Sequence, residues 1–372
     1  MRVHVVDQKC ITCVGEDIDT LWSALLARKH GFKTVRRFPT EGYVNSIAGC
    51  IDSLDMVRHG RRFECLLDML CQRSRSIPAD SELLGATTKD NIEVHEHIVK
   101  NPDEDRTNVI YPMTDYLRNR LKIQRPGYTV NAACASGSAA LIWASEIIMH
   151  GQADSVVVFG ADIVSEFVFS GFSALKVMSA DTCRPFDVNR DGLIIGEAAG
   201  YVHLMSEERC IRDKRTSLGI VRGWGISSDA THITAPDRHA CGLQRAICNA
   251  LGKASLEKDQ IAVINTHGTG TIHNDAMEMT ALNAVFDDAM PWVFSVKGSI
   301  GHSMGASGLI ETIITFKALQ EQVVPPTAGV QQPEPDIRRS ICMEKTPYNG
   351  RYALSTKSGF GGINTALILE KA

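Results

Sequence analysis

The segment Val130–Ala144, VNAACASGSAALIWA, runs from a strand end through a tight elbow of small residues into a buried helix. It limits the possible folds strongly. Ala135, Ser136, Gly137, Ser138, Ala139 and Ala140 are too small to fill a core for their own sake, so something must come close to them. Cys134 stands at or just before a helix N-terminus, where unpaired N–H groups and the macrodipole favour a thiolate. That placement makes Cys134 a candidate nucleophile. The stretch alone is equally compatible with a free cysteine packed as a small apolar side chain. On the thiolate reading, Cys134 is expected to be alkylated ahead of the other cysteines.

The plan recurs. TVNAACASGSAALIWASEII and FSVKGSIGHSMGASGLIETI both read strand, small-residue elbow, near-continuously apolar helix. The densely charged Ser206–Lys214 lies near the midpoint and reads as a linker. Together these features predict an α/β fold of two similar halves, residues 1–210 and 211–372, each a sheet covered by helices, with the elbows facing each other. Apolar runs at Ser155–Phe159 and Ile261–Asn265 predict strands buried on both faces. Further strands are expected at Arg2–Val6, Ser81–Ala86, Ala199–Leu204, Ile220–Ile226, Trp292–Lys297, Ile341–Met343, Tyr352–Ser355 and Ala366–Leu369. Helical spacing covers Glu16–Lys29, Leu66–Cys71, Met113–Leu121, Cys241–Leu251, Ala276–Val285 and Gly305–Leu319, and Phe167–Met178 reads as helical or irregular.

With 372 residues the chain suits two domains or one large layered unit. A net charge of −4 argues against nucleic acid or an anionic membrane as the main partner. No apolar run approaches the ~18 residues of a membrane helix, and MRVHVVDQKC lacks a signal-peptide core. The 11 cysteines are scattered without framework spacing, which predicts reduced thiols and a cytoplasmic setting. Cys10-x-x-Cys13 has no second pair or flanking His and reads as packing. His95 and His97 lack a third ligand and read as part of a solvated loop or helix within Asp90–Arg106.

Three more segments carry polar chemistry. Thr266-His267-Gly268-Thr269-Gly270-Thr271 puts a histidine at a strand end in a turn too polar for core filling. Lys297-Gly298-Ser299-Ile300-Gly301-His302 puts a lysine and a histidine at the second elbow. Ser358-Gly359-Phe360-Gly361-Gly362 allows a backbone N–H to approach a ligand closely. Singly, each is more often structural. One cysteine and two histidines at strand-to-elbow junctions are a different matter, because that edge of an open sheet is where ligands bind. Such a set supports acyl transfer through a thioester, with backbone N–H groups on the oxyanion. Two neutral imidazoles could then donate to a second carbonyl and stabilise the enolate left when a malonyl group loses CO₂.

The ordered motifs resemble those of the β-ketoacyl-acyl-carrier-protein synthases, the condensing enzymes of the thiolase-like fold. They are Cys134-Ala135-Ser136-Gly137, Pro185-Phe186-Asp187 with Arg190-Asp191-Gly192 and Gly196-Glu197, His267-Gly268-Thr269-Gly270-Thr271, Lys297 with Gly301-His302 and Gly305-Ala306-Ser307-Gly308, and Gly359-Phe360-Gly361-Gly362 with Asn364. The match runs from about Pro126 to the C-terminus and more loosely over residues 1–50. The resemblance implies βαβ-rich halves in alternating helix and sheet layers. It implies that Cys134 carries the acyl chain and that His267 and His302 bind the malonyl thioester and assist decarboxylation. Lys297 would order the site and pair with Glu311. The N–H groups of Cys134 and Phe360 would form the oxyanion hole, Phe360 would gate the acyl pocket, and Thr269 and Thr271 would contact pantetheine. No metal and no resident cofactor are implied, the substrates riding on the phosphopantetheine of an acyl carrier protein. A homodimer is expected, or a heterodimer with a ketosynthase-like or chain-length-factor subunit.

The chain departs from the family pattern in several places. Asp7–Gly15 lacks the usual Gly-x-Gly turn, and Ala86–Asp115, normally part of the dimer interface and acyl-pocket floor, is short. Val296 and Gly298 flank Lys297 where Thr and Ser are frequent. Ile272, His273 and Asn274 replace a Pro and a Gly-Asp, leaving only Asp275; His273 reads as loop variation. Three other readings fit these residues less well. A non-catalytic chain-length-factor-like subunit usually lacks the cysteine that Cys134 supplies. A thiolase would need a second cysteine near Gly359–Gly362, and an initiation-type enzyme an asparagine where His302 stands.

Overall fold

The computed structural model describes residues 2–101, 112–337 and 340–372. Its main sheet has ten strands: β1 (Val3–Thr12), β2 (Glu82–Ala86), β3 (Gly127–Val130), β4 (Ser155–Asp162), β5 (Ala198–Ser206), β6 (Gly219–Ser228), β7 (Ile261–Asn265), β8 (Trp292–Phe294), β9 (Tyr352–Gly359) and β10 (Ile363–Lys371). Their order is β8-β7-β9-β10-β6-β1-β5-β4-β2-β3. Outward from the centre, the first five strands run 1-5-4-2-3 and the last five repeat the path as 6-10-9-7-8. The two sets meet where Val3–Val5 pairs antiparallel with Gly219–Val221. In each set the outer pairings are parallel and the inner ones antiparallel.

The longer helices are α1 (Ile18–Leu26), α2 (Arg62–Gln72), α3 (Ile92–Lys100), α4 (Met113–Leu121), α5 (Ser136–Met149), α6 (Glu166–Ala174), α7 (Glu207–Arg212), α8 (Cys241–Ala254), α9 (Ile272–Phe286) and α10 (Ser307–Glu321). Helices α5 and α10 pack on each other and on strands of both sets, forming a middle layer. Helices α2 and α4 cover the outer face of the first set, and α8, backed by α9, that of the second. A strand covered on both faces has no polar side, which is why every residue of β4 and β5 is buried.

The small residues after Cys134 exist for the helix crossing. A Cβ on Gly137 would lie 2.5 Å from the Leu309 nitrogen, and a Cβ on Gly308 would lie 2.5 Å from the Ser138 nitrogen. Only glycine at both positions lets the two backbones meet. Ser138 Oγ then reaches Thr365 Oγ1 on β10 at 2.6 Å.

Three expectations from the sequence change. Ser206–Lys214 is a pinned helix rather than a linker. Ser206 caps α7, accepting from the Arg209 N–H at 3.1 Å, and the Arg209 guanidinium bonds Asp80, Asp154 and Asp213 at 2.9, 2.8 and 2.5 Å. Ile341–Met343 forms no strand. Val293 N–H donates to Ser340 O, Cys342 N–H donates to Val293 O, and the pairing stops after the single Val293–Ile341 bridge. Trp292–Lys297 is a strand only to Phe294, because Lys297 opens a helical turn, Lys297–Ile300. Phe167–Met178 is helical through α6. The polar stretch Asp90–Arg106 holds helix α3, Ile92–Lys100, and 102–106 lie outside the described residues, as do 107–111 of the short Ala86–Asp115 region. Among the described residues no helix is long and apolar enough to cross a membrane.

Candidate active site

The first elbow turns at Ala133, whose φ is +48°. Ser136 Oγ stabilises the turn by accepting from Ala132 N–H at 2.9 Å and donating to Ala133 O at 2.6 Å. Cys134 therefore faces inward, just ahead of α5, and is 7% exposed. Behind it runs the glycine turn after β9: a Cβ on Gly359 would come within 3.3 Å of the Cys134 nitrogen. Burial pushes the Cys134 thiol up to about 11, against the pull of Lys297 and of the Phe360 N–H. Withdrawal from water thus outweighs the helix terminus that was expected to favour the thiolate. Cys241 and Cys248 are the exposed thiols. Cys10 and Cys13 are held protonated, burial pushing both up to about 12.

His267 follows β7 in a loop that hangs on two carboxylates of α9. Glu278 accepts from the N–H groups of His267 and Gly268 at 2.7 and 2.6 Å. Asp275 accepts from the Thr269 N–H at 3.0 Å and the Phe186 N–H at 2.8 Å. Burial, then Asp275, push Glu278 up to about 7. His302 sits in the second elbow, whose backbone pairs with Ile194 and Gly196. Asp162, at the end of β4, fixes this elbow by accepting from the Gly305 N–H at 2.7 Å.

The Cys134 sulfur and one nitrogen from each imidazole lie within 4.8 Å of one another. The two rings are 5.1 Å apart at 83°. Their tautomers follow from their partners. Met304 N–H donates to His302 Nδ1 at 3.1 Å, and the Lys297 ammonium, which can only donate, faces His267 Nδ1 at 3.3 Å. Both Nδ1 atoms are acceptors, so both hydrogens reside on Nε2. Burial first, and Lys297 among the charges, hold both imidazoles well below the usual histidine range. They are neutral donors at physiological pH.

Lys297 Nζ donates to Glu311 Oε1 at 2.6 Å and to the His267 carbonyl, with both side chains buried. Burial would raise Glu311, but Lys297 and Lys357 hold it below the usual range. Two cavities open from Cys134. One, about 250 Å³, runs between Cys134, His267 and His302 and past Thr269 and Thr271, whose hydroxyls are 2.9 Å apart. The other, about 260 Å³, runs along Phe167, Val168, Leu175 and Met304. Phe360 and Phe172 line both, with rings stacked 6.1 Å apart. His273 is exposed, at the lining of the first cavity.

The structure thus gathers Cys134, His267, His302, Lys297, Glu311, Phe360, Thr269 and Thr271 into one region. The sequence reading missed Phe172, Glu278 and Lys357. The first stood in a segment read only as aromatic-rich, and the other two carry no local signal for burial. Cys134, His267 and His302 are also the described residues that could hold a metal ion.

Fold and site together place the chain in the thiolase-like class. Within it, the β-ketoacyl synthase N-terminal domain matches residues 113–209 and the C-terminal domain residues 218–331. The chain belongs to the β-ketoacyl synthase family. A 3-oxoacyl-[acyl-carrier-protein] synthase 2 from Mycobacterium leprae is 36% identical over 245 residues, spanning 63% of this chain and 58% of that protein. One of the same name from Staphylococcus aureus is 27% identical, spanning 100% of this chain and 98% of the relative. Among solved structures, the ishigamide ketosynthase/chain length factor superposes with a TM-score of 0.86 at 27% identity, covering 100% of this chain and 99% of that one. A type II polyketide ketosynthase in complex with its acyl-carrier protein shares the fold, with a TM-score of 0.89 at 21% identity over 100% and 99% of the two chains.

Proposed function

We propose that the chain catalyses decarboxylative condensation of an acyl thioester held on Cys134 with malonyl-acyl carrier protein. The observation that carries this reading is the cluster of one sulfur and two imidazole nitrogens within 4.8 Å. The Cys134 sulfur attacks the incoming acyl thioester, its proton leaves with the carrier thiol, and the acyl group rests on the enzyme. The N–H groups of Cys134 and Phe360 receive the oxyanion, in keeping with the Phe360 N–H aimed at the sulfur. When the malonyl C–CO₂ bond breaks, CO₂ leaves and its electron pair moves to the thioester oxygen. The Nε2–H groups of His267 and His302 donate to that oxygen. The enolate carbon then attacks the acyl carbonyl, a C–C bond forms, and the Cys134 sulfur leaves as thiolate.

Two neutral donors suit an enolate, whereas imidazolium would first have to be formed against the Lys297 charge. Thr269 and Thr271 line the cavity that a pantetheine arm would enter, and Phe360 with Phe172 stands between it and the cavity for the acyl chain. No resident cofactor or metal has a part in these steps; the substrates arrive on the phosphopantetheine of an acyl carrier protein, and a chelator is expected to leave the rate unchanged. A second subunit, identical or chain-length-factor-like, fits the sheet edge at β3. Among the described residues β3 is paired on one side only, and half-exposed Tyr128 there meets Trp143 at 5.7 Å.

The test is incubation with acyl- and malonyl-acyl carrier proteins, with and without EDTA, and mass spectrometry of the carrier. A β-ketoacyl product two carbons longer supports the reading. No product with any acyl length points instead to a scaffold subunit.

A further inference from the structure

Lys357 has no part in the steps above, yet it is among the largest fully buried side chains in the molecule. It projects from β9 just before the glycine turn and shares a carboxylate with Lys297. Lys357 Nζ lies 2.5 Å from Glu311 Oε2, and Lys297 Nζ lies 2.6 Å from Oε1. Lys357 also donates to the Thr356 carbonyl. A buried ammonium is costly without a partner, and one carboxylate between two ammoniums leaves a positive charge over. The carboxylates nearby do not offset it fully. Glu278 and Asp275 on α9 spend their oxygens on the loop N–H groups, and burial favours their neutral forms.

We propose that Lys357 is a positioning residue for decarboxylation: it fixes the Glu311 carboxylate that holds Lys297 against His267, and its charge favours the enolate. The inference rests on the condensing reading above. Its geometry is a single relay, from Lys357 to Glu311 Oε2, from Oε1 to Lys297, and from Lys297 to the His267 ring and carbonyl. No proton passes to Lys357; the electron pair of the broken C–CO₂ bond goes to the thioester oxygen. The groups facing this charge are Glu311 on α10, Lys297 on the Lys297–Ile300 turn, Glu278 and Asp275 on α9, and the His267 and His302 rings. Removing the cation lets both imidazoles protonate more readily.

The experiment uses the full chain with Lys357→Met, Lys357→Gln and Lys357→Arg, and follows the half-reactions separately. Acyl transfer to Cys134 is read by intact-protein mass and CO₂ release from malonyl-acyl carrier protein across pH. The Met and Gln variants are expected to acylate near the wild-type rate. Their CO₂ release is expected to fall about tenfold, with its acid limb moved up by about one pH unit. Arg is expected to restore the limb. Wild-type CO₂ release with an unmoved limb in either neutral variant overturns the proposal. So does equal loss of both half-reactions, or failure of both neutral variants to fold, since each reduces Lys357 to a structural role. A wild-type chain that performs neither half-reaction brings down the condensing reading itself, a result separate from failure confined to the variants.

Discussion

The elbow before α5 and the elbow before α10 hold matching places in the duplicated strand path, yet they are built differently. The first, Asn131–Ala135, is short, carries no charge and ends beside the crossing point at Gly137. The second, Ser295–Ala306, is longer and winds through a helical turn that buries Lys297, while its helix buries Glu311. Each is held by the other half: Asp162 from β4 grips the second elbow, and Gly359 from β9 backs the first. A nucleophile needs little more than a rigid, closely backed turn. The second elbow buries a charge as well as the His302 imidazole, and a buried charge needs a partner, so it requires more chain. On the proposed function, the contrast matches acyl capture to the first half and decarboxylation to the second.

Breaking that division should have effects of graded size. Cys134→Ala should abolish acyl capture and lower condensation by about 10⁴-fold or more, measured as β-ketoacyl product. It should leave slow CO₂ release from malonyl-acyl carrier protein, since His267 and His302 remain. His302→Ala removes one of two donors to the enolate oxygen and should lower CO₂ release by about 10²–10³-fold while Cys134 still acylates. Gly137→Val places branched carbon where Leu309 N already lies within 2.5 Å. It should destabilise the chain by about 1–3 kcal/mol or more in denaturant unfolding, with Gly308→Val behaving alike because both disturb one contact.

The smallest effect lies away from the elbows. His203 on β5 is buried, its Nε2 is 2.8 Å from Ser155 Oγ, and burial lowers it to about 4. The unfolded chain binds this proton near pH 6.5 and the folded chain only near 4. The stabilisation is therefore complete above pH 6.5 and lost as pH falls toward 4. Glu278 runs the opposite way. Its folded value near 7 lies above the unfolded one, so its contribution is complete below about 4.5 and lost as pH rises toward 7. His203→Asn should flatten the acid side of a thermal-stability profile and leave the side above pH 6.5 unchanged.

What could be read from the sequence was what leaves a local imprint. Apolar runs marked β4 and β7, the repeated elbow marked the duplication, and the order of motifs brought Cys134, His267 and His302 together. The reading erred where distant contacts decide. Ser206–Lys214 looked like a linker because Arg209 is charged, and only Asp80 and Asp154, far off in sequence, make it an anchor. Cys134 was expected to be a ready thiolate because a helix terminus is visible in sequence and burial is not. Gly137 was recognised as making room, but its occupant, Leu309 of α10, could not be named. Lys357 and Glu278 went unnoticed, since nothing local shows that both face the interior.

The most direct measurement is peptide mass spectrometry of the chain after exposure to an acyl-acyl carrier protein, then to malonyl-acyl carrier protein. The acyl mass is expected on the Cys134 peptide after the first step in both the wild type and His302→Ala. After the second step it should be gone in the wild type, with β-ketoacyl carrier formed, and retained in His302→Ala. Acyl groups on another cysteine, or a His302→Ala chain that discharges as fast as wild type, would contradict the account.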